Sequence, residues 1–405
     1  MLRLFNSLGK KLETFAPVND EVVTIFTCGP SVYQRAHIGN FRTFLFEDVL
    51  VRYLDYLGYR VMRGMNFTDI EDKAIIEAGK HDITVKELTD RNIDEFIGEM
   101  KLLGIRIPEY LPRSSDYVAE AAGIITQLIE LGVAYRHKGN VYFDPLKFPG
   151  FGKLYGLDMS RWPTKRRRFH RDTYPGIQWN LGDFILWHGC RPKEPFCWNT
   201  PVGHGRPSWN IQDPSMVASC FHESLSIYCG GIDNLYRHHD YSIAILESIR
   251  SCPMARYWLH GAHLFVGGKK MSKSRGNILY TETLLGRGFT ATEIRFFLID
   301  GHYRERLSCT EEAMAAAAEK LRSLRDQIHA ITERAGRAEP RIDERAARIR
   351  ESFRAAMDND LDVRRAVAAV SQAVEAAAAD DRAPESRAAV IAALREIDKV
   401  LKVLF

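Results

Sequence analysis

Residues 22–28 read Val-Val-Thr-Ile-Phe-Thr-Cys and stop at Gly29-Pro30. A short unbroken apolar run, rich in β-branched residues and ended by turn formers, reads as a strand buried on both faces, as in a parallel sheet. From Phe41 to Gly58 the apolar residues recur at helical spacing, and Gly58 is placed to stop the helix. Tyr59–Asn66 is the next strand candidate. Strand, helix, strand is a βαβ unit, and it predicts the start of a doubly wound α/β domain.

The rest of the chain divides by composition. Residues from about 115 to 205 are rich in Trp, Pro, Gly and Arg and poor in long periodic helices, which suggests an insertion. Regular patterning returns near Ser208, with Tyr257–Val266 as a further strand and Gly267–Asn277 as a loop. From Thr310 onward Ala, Glu, Arg and Leu dominate, a density of helix formers that predicts a small bundle, broken at Ala338–Pro340 and Ala379–Pro384. The expected division is 1–115 and 206–300 for the two halves of the α/β domain, 116–205 for the insertion, and 301–405 for the bundle.

The 405 residues carry a formal charge of +4, which permits nucleotide or nucleic-acid binding without demanding it. No apolar stretch is long enough to span a membrane, and the start is too polar for a secretory signal. Seven widely spaced cysteines without a C-x-x-C fit a reduced, cytoplasmic protein better than a disulfide scaffold.

Two short strings carry the chemistry. His37-Ile38-Gly39-Asn40 follows the first strand and opens the first helix. Helix N-terminal N–H groups and the dipole favour an anion there, and His37 can donate to charge developing on a phosphate. Alone, four such residues are as compatible with a surface loop. Lys270-Met271-Ser272-Lys273-Ser274 lies in a glycine-flanked loop that can close on a triphosphate and neutralise departing pyrophosphate. The competing reading is a solvated basic turn.

Together these strings resemble the HIGH and KMSKS motifs of class I aminoacyl-tRNA synthetases. The surroundings narrow the resemblance to cysteinyl-tRNA synthetases: Phe26–Val61, Asn66–Lys73, Gly205–Asp213, Cys229–Asp240, Gly301–Leu307 and Phe353–Asp362 are all similar to that family, in order. The resemblance implies a Rossmann-like catalytic domain split by an insertion and followed by a C-terminal α-helical bundle. It implies an ATP- and Mg²⁺-dependent ligase that forms an aminoacyl-adenylate. His37, Asn40, Lys270 and Lys273 would be catalytic, and Gly39, Gly231, Asp233, Ser272 and Ser274 would bind ATP. Asp233 has a helix cap as its competing reading. Thr68 and Trp209 would shape the amino-acid pocket, with core packing the alternative for Trp209.

The sequence departs from that family in two ways. The family's zinc ligands are two Cys, one His and one Glu. Cys28 and His238 match, but Asp213 stands for the second Cys and Ser242 for the Glu. Either Cys28, Asp213 and His238 hold a metal with an open position, or no metal binds and Asp213 contacts a different substrate group. Loss of a thiolate and a carboxylate together favours the second. The chain also stops after the bundle, a layout similar to the cysteine ligases of mycothiol biosynthesis. The expectation is therefore an amino acid other than cysteine, joined to a small-molecule amine rather than to tRNA. The alternatives are a cysteine–tRNA ligase with an altered zinc site and an inactive paralogue acting as a binding module. The basic run Arg161–Arg171 has RNA contact as its minor reading and a solvated face as its major one.

Overall fold

The computed structural model describes residues 1–161, 182–271, 276–379 and 383–405. The βαβ unit is present. Strand β1 (Val23–Thr27) leads into helix α1 (Ile38–Tyr56), which ends at Leu57 with Gly58 in a left-handed conformation, φ +90°. Strand β2 (Val61–Met65) then pairs in parallel with β1, Val23 opposite Val61. Helix α2 (Trp209–Cys220), strand β3 (Leu225–Gly231), helix α3 (Asp240–Ile249) and strand β4 (Ala255–Gly261) complete the layer. The sheet is fully parallel in the order β4-β3-β1-β2. The chain thus winds outward from β1 to β2, then returns to the other side of β1. That reversal opens a crevice beyond the carboxyl ends of β1 and β3, where open α/β sheets bind ligands.

Close backbone approach fixes the crevice. A Cβ on Gly29, one residue past Cys28, would lie 1.7 Å from the Asn66 carbonyl oxygen. Only glycine lets the two chain segments meet, and the Gly29 N–H donates to Asn66 Oδ1 at 2.9 Å. Gly64 similarly admits the Phe26 ring, whose Cδ2 would stand 2.9 Å from an added Cβ.

The single strand expected over Tyr257–Val266 is two: β4, and a short strand at Leu264–Val266 that pairs with Lys269–Lys270 and with Leu307–Cys309. Between α1 and α2 lies an antiparallel five-stranded sheet built from residues 134–137, 140–143, 184–189, 203–207 and 198–200, in that spatial order. Here the expectation of seven reduced cysteines needs correction: Cys190 and Cys197 form a disulfide. The loop joining two strands of this sheet turns through Lys193 and Phe196, both at positive φ, and brings the two Cα atoms within 6.5 Å. Five cysteines remain free.

The tail forms helices α4 (Glu311–Ala335), α5 (Glu344–Met357), α6 (Val363–Ala378) and α7 (Pro384–Leu401). It docks on the α/β layer through apolar contact with α1 and through Arg295. This arginine is almost fully buried. Its guanidinium meets Asp48 of α1 at 2.7 Å and donates to the Leu401 and Leu103 carbonyls at 2.8 and 3.0 Å. One buried cation satisfied from three segments fixes the register of bundle on sheet. No helix among the described residues is long and apolar enough to cross a membrane.

Candidate active site

A cavity of about 520 Å³ opens at the carboxyl ends of β1 and β3. One end of it is built at the start of α1. His37 is the N-cap, in extended conformation; its Nδ1 accepts from the Asn40 N–H at 3.3 Å, and Asn40 Oδ1 accepts from the His37 N–H at 3.0 Å. This reciprocal cap holds both side chains at the helix mouth. With Nδ1 accepting, the ring carries its proton on Nε2. The absence of acidic residues from the first turn leaves the positive end of the helix dipole uncompensated.

Gly39 brings the two motifs together. A Cβ there would stand 2.5 Å from Met271 Cε and 3.1 Å from the His37 ring. The helix start and Met271 of the second string are therefore in contact. Ser272, Lys273 and Ser274 lie outside the described residues, as does the basic run after Arg161. Lys270 ends the strand Lys269–Lys270.

Opposite α1, Gly231 and Asp233 line the same cavity. The N-cap of the short turn 232–234 is Gly231, so the cap reading of Asp233 does not hold. An added Cβ on Gly231 would fall 2.7 Å from Asp233 Oδ1, so glycine lets this carboxylate fold back beside the backbone.

At the far end the residues expected to hold the amino acid divide in two. Cys28, Thr68 and Trp209 line the cavity. Asp213 and His238 do not; they are buried behind it. The expectation that Asp213 contacts the substrate is therefore corrected. Its carboxylate is consumed internally: Oδ1 accepts from Asn66 Nδ2 at 2.9 Å, while Oδ2 meets Tyr228 Oη at 3.0 Å and His238 Nε2 at 2.9 Å. Trp209 stacks on His238, ring centroids 3.9 Å apart. Trp209 is thus both cavity wall and packing partner. Burial, and after it the Asp213 charge, holds the Cys28 thiol well above its usual range. Asn234 Nδ2 donates to Cys28 Sγ at 3.4 Å.

These positions do not reproduce the family's zinc set. Asp213 already accepts three hydrogen bonds, one from the histidine that would share the metal. Ser242 donates its hydroxyl to the His238 carbonyl at 2.9 Å, four residues back in the helix. A neutral hydroxyl turned onto its own helix is no ligand.

Residue-type reasoning missed four members of this corner. Asn66, Tyr228 and Asn234 are ordinary polar residues until the fold gathers them. His239 was legible as the second of a His-His pair. It is fully buried, and its Nδ1 lies 2.8 Å from His260 Nε2, which is bonded in turn to Ser7. Burial, then the neighbouring His260 and His238, pushes His239 well below its usual range.

Residues 14–319 match the family described as the tRNA synthetases class I (C) catalytic domain. The chain is 38% identical to a cysteine–tRNA ligase of Chlamydia pneumoniae, over all of this chain and 86% of the relative. It is 36% identical to the cysteine–tRNA ligase of Chlamydia muridarum, over all of this chain and 88% of the relative. Its fold superposes on Mycobacterium tuberculosis methionyl-tRNA synthetase in complex with methionyl-adenylate with a TM-score of 0.68 at 14% identity, covering 94% of this chain and 92% of that one. These relatives overturn the expectation of a non-cysteine acid passed to a small amine. The likeness to cysteine–tRNA ligases runs through the bundle to the chain end, across both altered ligand positions.

Proposed function

The chain belongs to the class I (C) tRNA synthetase family, whose members are ATP-dependent ligases, and from that premise we propose that it is a cysteine–tRNA ligase. The amino-acid carboxylate attacks the α-phosphate of ATP, releasing pyrophosphate and leaving an aminoacyl-adenylate. A terminal ribose hydroxyl of tRNA then attacks the adenylate carbonyl, giving the ester and AMP.

The observation that carries this reading is the convergence on one cavity of His37, Gly39 and Asn40 with Gly231 and Asp233, facing Cys28, Thr68 and Trp209. The α1 N-terminus presents N–H groups and a dipole to the phosphates. The His37 Nε2 proton is held where charge develops on the α-phosphate, because the cap with Asn40 has fixed the tautomer. Asp233, which lines the same cavity, accepts from ribose hydroxyls on this reading. Lys270 and Lys273 would neutralise the leaving pyrophosphate, the Ser272 and Ser274 hydroxyls would donate to its oxygens, and Mg²⁺, when bound with ATP, would supply further positive charge there. Catalysis on this scheme is positioning and electrostatics, with no covalent enzyme intermediate.

ATP–pyrophosphate exchange over the amino acids tests the first step, and charging of purified tRNA tests the second. Cysteine should support the fastest exchange and should become esterified to tRNA. Exchange driven best by another amino acid, or none with any, would overturn the reading.

A further inference from the structure

The insertion reaches the cavity through an arginine. Arg206 stands on the strand Gly203–Pro207 and lines the cavity beside Asp72, the first residue of the helix Asp72–Lys80. Its Nη2 meets Asp72 Oδ1 at 2.8 Å. Trp209 follows shortly after Arg206 in the chain, Thr68 comes shortly before Asp72, and both line the cavity. The ion pair therefore ties together the two segments that carry those walls.

The same guanidinium also reaches a pair of sulfurs outside the cavity. Nη1 lies 2.9 Å from Glu194 Oε1, 3.4 Å from Cys190 Sγ and 3.7 Å from Cys197 Sγ. The Glu194 carboxylate and the two sulfurs lie within 4.8 Å of one another, a grouping that attracts a cation, and Arg206 is that cation. The Cys190–Cys197 disulfide closes the loop that presents Glu194. Within the loop Glu194 Oε2 accepts from the Arg191 N–H at 3.0 Å, and Lys193 and Phe196 hold φ of +67° and +63°. Residues with a Cβ keep such values where the surroundings impose them, and here loop closure does so. Both cysteines are half-buried, so a thiol in solution can reach the bond. A guanidinium beside a sulfur stabilises it as a departing thiolate, and accessible disulfides with such a leaving group exchange readily.

We propose that Cys190–Cys197 is a thiol–disulfide exchange site for dithiol reductants, coupled through Arg206 to the cavity walls at Thr68 and Trp209. A thiolate of the dithiol attacks one protein sulfur, the S–S bond breaks, and the other sulfur leaves as a thiolate beside Arg206. The second sulfur of the reductant, as its thiolate, then attacks its partner in the mixed disulfide and releases the remaining protein sulfur. Two electrons pass to the protein, the two protons of the dithiol end on the cysteine thiols, and the reductant departs as its own disulfide. Opening the loop lets Glu194 and the sulfurs move off Nη1, which loosens the bridge that Nη2 makes to Asp72. An enzyme whose substrate is itself a thiol would thus bind it more tightly where free thiols are scarce. That consequence rests on the cysteine–tRNA ligase reading; the exchange site and its link to the wall do not.

The test uses the full chain, with dithiothreitol as the reductant and glutathione disulfide as the oxidant, each removed before measurement. Alkylation of the native protein should count five free thiols in the oxidised state and seven after reduction. Reduction should speed hydrogen exchange in peptides covering 66–80 and 203–209. It should raise the KM for cysteine in ATP–pyrophosphate exchange roughly 2–10-fold, the cost of about one hydrogen bond, with kcat little changed. The Cys190→Ser, Cys197→Ser double variant should behave as the reduced protein in either condition. Arg206→Lys keeps the charge and loses the fork, so its disulfide should still reduce while its KM is already raised and indifferent to redox state. A disulfide that native reduction leaves intact overturns the proposal. So does reduction without faster hydrogen exchange in those peptides, or seven thiols that the oxidant never lowers to five. The stated thiol counts and hydrogen exchange in a protein that activates no cysteine would overturn the functional reading and leave the exchange site standing.

Discussion

The two ends of the cavity are built on different principles. At the end proposed for the nucleotide the available groups are backbone N–H groups, a helix dipole, glycines that admit close contacts, and two side chains that cap each other. At the other end they are buried side chains bonded to one another: Asn66, Tyr228 and His238 share the Asp213 carboxylate, with Trp209 stacked over the His238 ring. The first construction tolerates change around it, because its geometry comes from the start of a helix. The second transmits every substitution to several neighbours.

Asp213→Ala should have the largest effect on folding. It strands the Tyr228 hydroxyl and the His238 ring nitrogen in a buried corner and leaves the Asn66 amide with Thr68 Oγ1 as its remaining acceptor. The expected loss is about 3–5 kcal/mol of stability, as when one partner is removed from a buried pair. Urea unfolding read by circular dichroism measures it. A loss below about 1 kcal/mol would mean that the corner is not the interlocked unit described.

At the other end the effect should fall on rate. His37→Ala and Lys273→Ala should each lower ATP–pyrophosphate exchange about 10²–10³-fold, the usual cost of one preorganised stabiliser of developing charge. Their effect on stability should be small. His37 gives up a helix cap, about 0.5–2 kcal/mol. Exchange within a few-fold of the unmutated chain would remove either residue from the catalytic set.

The same contrast decided how much could be read from the chain. The nucleotide end was legible because local rules write it: an apolar run ending in Gly-Pro, a cap-compatible His37–Asn40, and helical spacing up to Gly58. The helical tail was legible for the same reason. The Rossmann-like α/β class with a C-terminal bundle follows from those local patterns, and the structure has that architecture. The amino-acid end was legible only as residue identities. That Asp213 departs from a cysteine is visible in one dimension. That it turns away from the cavity toward Asn66 and Tyr228 is not, because those partners lie on β2's exit and on β3, brought together by strand order. Asp213 supports the wall and does not line the cavity, so its identity in the sequence does not report the substrate. The Cys190–Cys197 pair escaped because the turn through Lys193 and Phe196 has no glycine to announce it.

Ser242→Ala should produce the smallest effect, and it bears on the comparison most directly. In the family this position supplies an acidic ligand; here the Ser242 hydroxyl donates to the His238 carbonyl four residues earlier, the ordinary resting place of a buried helical serine. Alanine removes that bond together with its donor, so no buried donor is left unpaired, and alanine is the better helix former. The His238 carbonyl loses one of its acceptor contacts and nothing else. The expected change is a loss of about 0.5–1 kcal/mol or less, with cysteine-dependent exchange and KM for the amino acid unchanged within about two-fold. Urea unfolding and exchange kinetics on the same preparation check both. A large rise in KM with stability intact would place Ser242 in substrate recognition, and the amino-acid end would then reach deeper behind Trp209 than the cavity wall indicates.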